Sequence, residues 1–189
     1  MDRESARLQF DNMNNRFDIE HTFPFDEAWD FVEYKRHQGT LTHPDKYFPT
    51  KYTKKEFRAG IVALQIDMIE NQNAMTPESH PDFNPLKHTF CKNQYVREIF
   101  NPAGQILITK IHKVEHPFFL LKGEMSILSE EGEINISAPY YGITPVGTKR
   151  VIYAHTDCTF VTVHPTDKKD LDELEQELIA KDYKELEKI

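Results

Sequence analysis

The sequence has only two cysteines, Cys91 and Cys158, and they are too far apart to form a CxxC pair. We therefore expect two reduced thiols in a reducing compartment rather than a disulfide framework. The first fifteen residues are charged and lack an apolar core, which predicts no secretory signal. No stretch approaches the roughly 18 consecutive apolar residues of a membrane-spanning helix. Together these absences predict a cytoplasmic protein.

Basic charge is also scarce, because 23 Lys and Arg residues stand against 31 Asp and Glu residues, for a formal net charge of −8. Such a surface repels duplex DNA and anionic membranes, so we expect neither as a partner, although a local basic pocket is compatible with this charge. The G-x-S-x-G, P-loop, HExxH and GxGxxG patterns are all missing. The sequence therefore gives no support for the enzyme classes that depend on those motifs.

Aromatic residues and short apolar runs are abundant, with 13 Phe and 8 Tyr in 189 residues. Runs with strand-like composition follow one another from residue 86 to 165, and turn residues separate them. The gaps are too short for crossover helices, so this spacing predicts an antiparallel sandwich or barrel rather than a parallel sheet. The predicted strands are His88–Phe90, Tyr95–Phe100, Gln105–Ile111, Pro117–Leu121, Met125–Ser129, Glu133–Ser137, Lys149–His155 and Thr159–His164.

Helical patterns flank this region on both sides. One helix is predicted over Phe25–His37, and a second begins at Thr53, where Thr53 and Glu56 form a T-x-x-E capping box. After residue 165 a C-terminal helix is predicted, and its apolar stripe consists of Leu171, Leu174 and Leu178. This stripe packs on the barrel or, less readily, forms a dimer seam. The predicted organisation is a helical extension and linker over 1–85, a β-barrel over 86–165 and a C-terminal helix over 166–189.

The region from Gly104 to Arg150 resembles the two motifs of the cupin superfamily, G-x5-H-x-H-x3,4-E-x6-G and G-x5-P-x-G-x2-H-x3-N. The matching positions are Gly104, His112, Gly123, Pro145 and Gly147. The resemblance implies a mainly β fold, the double-stranded β-helix or jelly-roll barrel, and the helical patterns described above place two helices before it and one after it. It also implies that the functional site lies inside the barrel, where cupins carry metal ligands.

The sequence is also similar to a group of uncharacterised cupin-like proteins of tailed phages, over residues 88–179. Blocks that match this group in order are His88-Thr89-Phe90, Tyr95-Val96-Arg97-Glu98-Ile99, Pro102-Ala103-Gly104, Ile111-His112, Glu115-His116, Gly147-Thr148-Lys149-Arg150, His164-Pro165-Thr166 and Asp170–Glu175. This likeness implies a location in the host cytoplasm if the protein is viral, and it supplies no substrate.

The chain departs from the cupin pattern at three of the four metal-ligand positions. His116 stands at the glutamate position, and Lys110 and Arg150 stand where histidines belong. A cation beside a divalent metal is repulsive, which argues against the usual four-ligand site. His112 and His116 share strand parity and suit Zn, Fe, Ni or Mn.

Two residues are candidates to complete such a site. Glu115 is either a ligand or the acceptor that orients a histidine, and His164 is the third histidine if the last strand neighbours the strand of His116.

Arg150 has two interpretations. It pairs with a barrel carboxylate such as Glu98, or it joins Lys110 in the barrel mouth and binds a small anion. Four further side chains are candidates for pocket walls, namely Tyr95, Arg97, Phe118 and Tyr153, although aromatic residues on barrel strands are more often part of the core.

Three functions fit these patterns. The first is a divalent-metal protein that binds a small polar molecule, as an oxygenase, isomerase or hydrolase if it is an enzyme. The second is a non-catalytic module that sequesters a small anion or nucleotide, and the third is a structural, virion-associated jelly roll. A homodimer is compatible with all three.

Overall fold

Antiparallel β-strands dominate the computed structural model, which describes Glu4, Phe48 and residues 51–70, 84–180 and 183–186. The prediction of a mainly β fold with antiparallel strands is confirmed. The chain divides into two compact units, Met1–Ala74 and Met75–Ile189. The helix predicted over Phe25–His37 lies outside the described residues.

The described helices are α1 (Lys54–Glu70), α2 (Leu171–Leu178) and α3 (Tyr183–Leu186). The strands are β1 (Leu86–Cys91), β2 (Gln94–Asn101), β3 (Ile106–Ile108), β4 (Ile111–His112), β5 (His116–Lys122), β6 (Glu124–Ser129), β7 (Gly132–Ser137), β8 (Tyr140–Thr144), β9 (Val151–Ala154), β10 (Cys158–Pro165) and β11 (Ile179–Ala180).

The strands of the second unit form a five-stranded sheet in the order β1-β2-β10-β5-β8 and a four-stranded sheet in the order β3-β9-β6-β7. A third, two-stranded sheet joins β4 to β11. Every pair in these sheets is antiparallel. Because β2 pairs with β10 and β10 with β5, strands distant in sequence become neighbours.

The main core lies between the two larger sheets, because both contribute inward side chains to one apolar cluster. Its buried members are Ile99, Phe118, Leu120, Met125, Ile127, Ile136, Ile152, Ala154, Cys158 and Phe160. At the turn between β5 and β6, Gly123 adopts a φ of +90°, and a Cβ there would lie 2.5 Å from the carbonyl oxygen of Asp157. Only glycine fits this turn, which connects the two sheets.

Within the first unit, α1 begins at a capping box. The backbone N–H of Thr53 donates to Glu56 Oε2 at 2.7 Å, and the N–H of Glu56 donates to Thr53 Oγ1 at 3.3 Å. The Phe57 ring stacks on that of Phe48, with 5.2 Å between centroids. Apolar residues spaced along one face of α1 are buried, among them Ile61 and Leu64.

The C-terminal helix begins at Asp170, whose Oδ1 accepts the backbone N–H groups of Asp172 and Glu173. Leu174 and Leu178 are buried against Tyr95, but Leu171, which the predicted stripe included, is 48% exposed. After α2 the chain forms β11, which the sequence did not indicate. Ile179 there pairs with His112 of β4.

Two strand predictions differ from the structure. The run Gln105–Ile111 is interrupted at residues 109–110 and forms β3 and β4 separately. Strand β8 was not predicted, because Pro139 precedes it and Gly142 interrupts its apolar pattern. In the part of the chain that the structure describes, no helix is long and apolar enough to cross a bilayer.

Candidate functional site

Neighbouring strands of the five-stranded sheet place four buried polar side chains in one row. Tyr95 of β2 is in register with His164 of β10, and His116 of β5 is in register with Thr144 of β8. Phe118, two positions after His116 on β5, belongs to the core cluster, and so does Phe160, which has the same strand parity as His164 on β10. The row therefore faces the interior. The row lies at one end of the core.

His112 reaches this row from β4 and completes a cluster of three histidines. The ring centroids of His112 and His116 are 4.5 Å apart, and those of His116 and His164 are 4.1 Å apart. The third separation, between His112 and His164, is 6.0 Å. The structure therefore brings together the three histidines that the sequence analysis selected, and we call them the three-histidine cluster.

Each ring of the cluster has one nitrogen without a hydrogen-bond partner. His116 Nδ1 donates to the carbonyl oxygen of Val114 at 2.9 Å, which leaves Nε2 as a buried lone pair. His164 Nε2 lies 3.0 Å from Thr162 Oγ1, and its Nδ1 is the unpartnered atom. His112 Nδ1 is buried and unpartnered as well. Buried polar atoms without partners are costly, so three of them together make the cluster a candidate binding site.

All three imidazoles are held in the neutral form. Burial lowers the pKa of His112 to about 2, with further contributions from His116, His164, Arg150 and Arg97. Burial lowers the pKa of His164 to about 3, assisted by His116 and Arg97. The pKa of His116 is also lowered, mainly by burial. Neutral imidazoles keep their lone pairs, which is the state that binds metals.

The donor set fits a divalent transition metal, but the ring arrangement is not that of a ready-made site. Across the described ranges, no group of three or more His, Cys, Asp or Glu side chains is placed to hold a metal ion. The rings of His116 and His164, at 4.1 Å, lie closer than ligands spread tetrahedrally around one ion. Binding of an ion would require these two rings to turn apart.

Arg150 lies beside the cluster and is only 7% exposed. Its Nη2 donates to Thr144 Oγ1 at 2.8 Å, and its guanidinium carbon lies 4.9 Å from the centroid of the Phe118 ring. Burial lowers its pKa to about 10. Among the residues that the structure describes, no carboxylate lies within ion-pair distance of Arg150.

The predicted alternative partner of Arg150, Glu98, is engaged elsewhere, and that prediction is wrong. Glu98 Oε2 lies 4.0 Å from Lys87 Nζ, across the β1–β2 pair. Glu98 has the opposite strand parity to Tyr95 and Ile99, which face the core, so its carboxylate is on the other side of the sheet.

Arg97 and Tyr95 form part of the wall next to the cluster. Arg97 is in register with Thr162 and shares strand parity with Tyr95 and the core residue Ile99. Burial lowers its pKa, and interactions with Tyr95 and Glu175 partly offset this. The Tyr95 ring lies 5.8 Å from that of His164, and its hydroxyl lies 2.7 Å from His88 Nδ1.

Three predicted site residues are not brought to the cluster. Glu115 is exposed, and the carbonyl of Val114 takes the orienting role expected of it. Lys110 is exposed and forms an ion pair with Glu175 of α2, so it lies outside the barrel mouth.

Tyr153 has the opposite parity to Arg150 and Ile152. Its ring contacts His155, whose Nε2 lies 2.7 Å from Ser126 Oγ. Tyr153 therefore belongs to the outer face of the four-stranded sheet.

Thr162 and Thr144 are site residues that sequence reasoning missed. Thr162 stands two positions before His164, so the period of two along β10 was a usable signal. Thr144 had no such signal, because β8 was not recognised as a strand.

A scan against protein-family models finds no match, and no curated protein matches the chain. Solved structures do match. A cupin-2 domain protein from Shewanella frigidimarina is 12% identical, with a TM-score of 0.37 over 43% of this chain and 79% of that one.

Two further matches are to named proteins. Ectoine synthase from P. lautus is 13% identical, with a TM-score of 0.41 over 49% of this chain and 70% of that one. KdgF from Halomonas sp. is 10% identical, with a TM-score of 0.42 over 49% of this chain and 86% of that one. At these scores the likeness carries no argument about ligands or chemistry.

Proposed function

We propose that this chain is a cupin-type jelly-roll protein whose barrel binds one divalent metal ion through His112, His116 and His164. Support for the jelly roll comes from the strand order, since β2-β10-β5-β8 and β3-β9-β6-β7 is the order of eight strands wound as two Greek keys. The cupin motif positions in the sequence support the same assignment, and Gly123 occupies the turn that the motif requires.

The observation that carries the metal proposal is the set of unpartnered nitrogens, one on each ring of the three-histidine cluster. Three neutral imidazoles with buried lone pairs are a typical ligand set for zinc, and also suit iron, nickel or manganese. The carbonyl of Val114 fixes the ring of His116, and the hydroxyl of Thr162 fixes that of His164. Such outer contacts select which nitrogen of each ring would face the ion, while the rings of His116 and His164 would still have to turn apart to bind it.

A metal bound here would supply Lewis acidity to a small polar molecule or to water. The surrounding side chains would do the rest. Tyr95 and Phe118 exclude bulk water from one side of the cluster, and Thr144 holds Arg150 in place. The neutral state of the imidazoles keeps them from acting as acids near neutral pH, because their pKa values lie well below 7.

Metal analysis of protein made without a histidine tag tests the proposal. We expect about one ion per chain after loading with Zn²⁺ and gel filtration, and His116→Ala and His164→Ala should each weaken binding at least about 100-fold. His155→Ala is the matched control, because His155 is exposed and contacts Ser126 instead of the cluster. Absence of bound ion, or an equal loss in His155→Ala, would overturn the proposal.

A further inference from the structure

We infer that the barrel binds a small organic acid, with its carboxylate on Arg150 beside the three-histidine cluster. The inference deepens the proposed function, because it rests on the same barrel interior, but it does not require the metal to be present.

The first argument is the missing counter-ion. Arg150 is 7% exposed, and the only polar contact of its guanidinium within the described residues is the hydroxyl of Thr144. A buried cation normally has a carboxylate partner, since burial without one costs several kcal/mol. One hydroxyl and one aromatic face leave most of the five N–H donors of an arginine unused.

The second argument is the sign of the local charge. Arg150 donates to Thr144, which is in register with His116, and Arg97 shares strand parity with Tyr95, which is in register with His164, so both cations lie next to the cluster. The cluster itself is neutral, and the acidic candidates Glu115 and Glu98 point away from it. The interior is therefore positive on a chain whose net charge is −8, so the site attracts anions although the protein as a whole does not.

The third argument concerns the type of anion. The guanidinium lies over the Phe118 ring, and this ring lies over Gly142, where a Cβ would come within 2.7 Å of it. A flat carboxylate can pair with the edge of a guanidinium stacked in this way, through two parallel hydrogen bonds. Phe118 and Tyr95 offer apolar surface for the organic remainder of such an acid.

Phosphate is the less suitable anion here. Phosphate sites typically use backbone N–H groups at a helix N-terminus. The residues around Arg150 lie on or next to strands, where the N–H groups of β5, β8 and β10 are engaged in ladders. Arg150's own backbone N–H donates to Thr109 Oγ1 at 3.0 Å.

Binding of simple anions to the full chain, treated with EDTA, tests the inference. Formate, acetate and malonate are titrated while the arginine Nε–Hε signals are followed by NMR, and inorganic phosphate is titrated in parallel. We expect saturable shifts of one arginine signal with the carboxylates and weaker binding of phosphate. Arg150→Lys, which keeps the charge but loses the planar fork, should weaken carboxylate binding about 10- to 100-fold.

Arg150→Met provides a second readout. In anion-free buffer its Tm should equal or exceed that of the wild type, because an uncompensated buried charge is removed. Malonate should raise the Tm of the wild type but not that of Arg150→Met. Lys122→Gln, which removes an exposed cation on β5, should behave as the wild type.

Three results would overturn the inference: no saturable binding of any carboxylate, unchanged binding in Arg150→Lys, or a lower Tm for Arg150→Met. Tighter binding of phosphate than of carboxylates would do the same. Zinc binding by the wild type is measured alongside, so the two proposals can fail separately. A wild type that binds zinc but no carboxylate contradicts only this inference, and a wild type that binds carboxylates but no zinc contradicts only the metal proposal.

Discussion

In the proposed metal site, Thr162 is a residue that would position a ligand without touching the metal. Its hydroxyl lies 3.0 Å from His164 Nε2, and Nδ1 of the same ring is the buried atom without a hydrogen-bond partner. The Thr162 side chain is itself buried. This hydrogen bond therefore holds the ring of His164, which also packs against the ring of Tyr95.

We predict that Thr162→Val weakens zinc binding by about 10- to 100-fold, which is the usual effect of losing such an orienting contact. Valine nearly keeps the volume of threonine, so packing changes little. Competition against a chromophoric chelator measures the affinity. Thr159→Val, on the same strand but with opposite parity, is the control and should bind zinc as the wild type does. Equal affinities in the two variants would show that Thr162 does not position His164.

Cys158 is a second residue whose behaviour follows from its place in the core. It is fully buried, and its Sγ donates to the carbonyls of Thr156 at 3.1 Å and Glu124 at 3.3 Å. Burial raises the pKa of this thiol, whereas Cys91 is exposed. Since the thiolate is the reactive form, native protein should titrate one thiol with Ellman's reagent and unfolded protein two. Cys91→Ser should titrate none until it is unfolded, and rapid labelling of native Cys91→Ser would contradict this.

At the scale of elements, the start of α1 depends on a carboxylate. Hydrogen bonds from the backbone and the hydroxyl of Thr53 lower the pKa of Glu56 below its ordinary 4.5. A lowered carboxyl pKa gives a stabilisation that is complete above pH 4.5 and is lost as the pH falls through the lowered value. We expect Thr53→Val, which removes the hydroxyl but keeps the backbone N–H, to move the pKa of Glu56 part of the way back towards 4.5, measured by NMR titration. An unchanged pKa would mean that the hydroxyl of Thr53 does not bond Glu56 in solution.

Elements also explain where sequence reasoning about the site succeeded and where it did not. His164 could be predicted because the cupin resemblance implies that the last strand neighbours the strand of His116, and β10 does pair with β5. Lys110 was misplaced because its parity was counted from His112, whereas residues 109–110 lie between β3 and β4 and follow no strand alternation. Tyr153 could have been excluded, since it stands an odd number of residues from Arg150 on the same strand.

The remaining site residues depend on long-range pairing that no local pattern encodes. Thr144 reaches Arg150 only because β8 pairs with β5. Likewise Ile179 of β11 pairs with His112 of β4 although 66 residues lie between them in the sequence. Local composition predicts that strands exist and which faces are apolar. It does not predict which strands become neighbours, because that depends on packing of the whole core.

At the scale of the whole molecule, all residues of the candidate site belong to the second compact unit, Met75–Ile189. This unit includes the apolar core between the two sheets and the helix α2, whose Leu174 and Leu178 pack on Tyr95. A core of this kind in about 115 residues is sufficient for independent folding.

We therefore predict that a chain starting at Met75 folds cooperatively and binds zinc with the affinity of the full chain. Thermal unfolding followed by circular dichroism and the chelator competition measure both properties. A fragment that folds but binds zinc at least about tenfold more weakly would show that the site needs residues of the first unit, contrary to the structure.

Among the described residues Arg150 has no carboxylate partner, and this has a consequence for the stability of the protein in a cell. A chain with an unneutralised charge in its interior is least stable without a ligand, and binding of the inferred anion would stabilise it. Quality-control proteases degrade a protein in proportion to the fraction of its molecules that are unfolded. We therefore expect the half-life and the cellular abundance of this protein to increase with the concentration of the inferred small-molecule ligand.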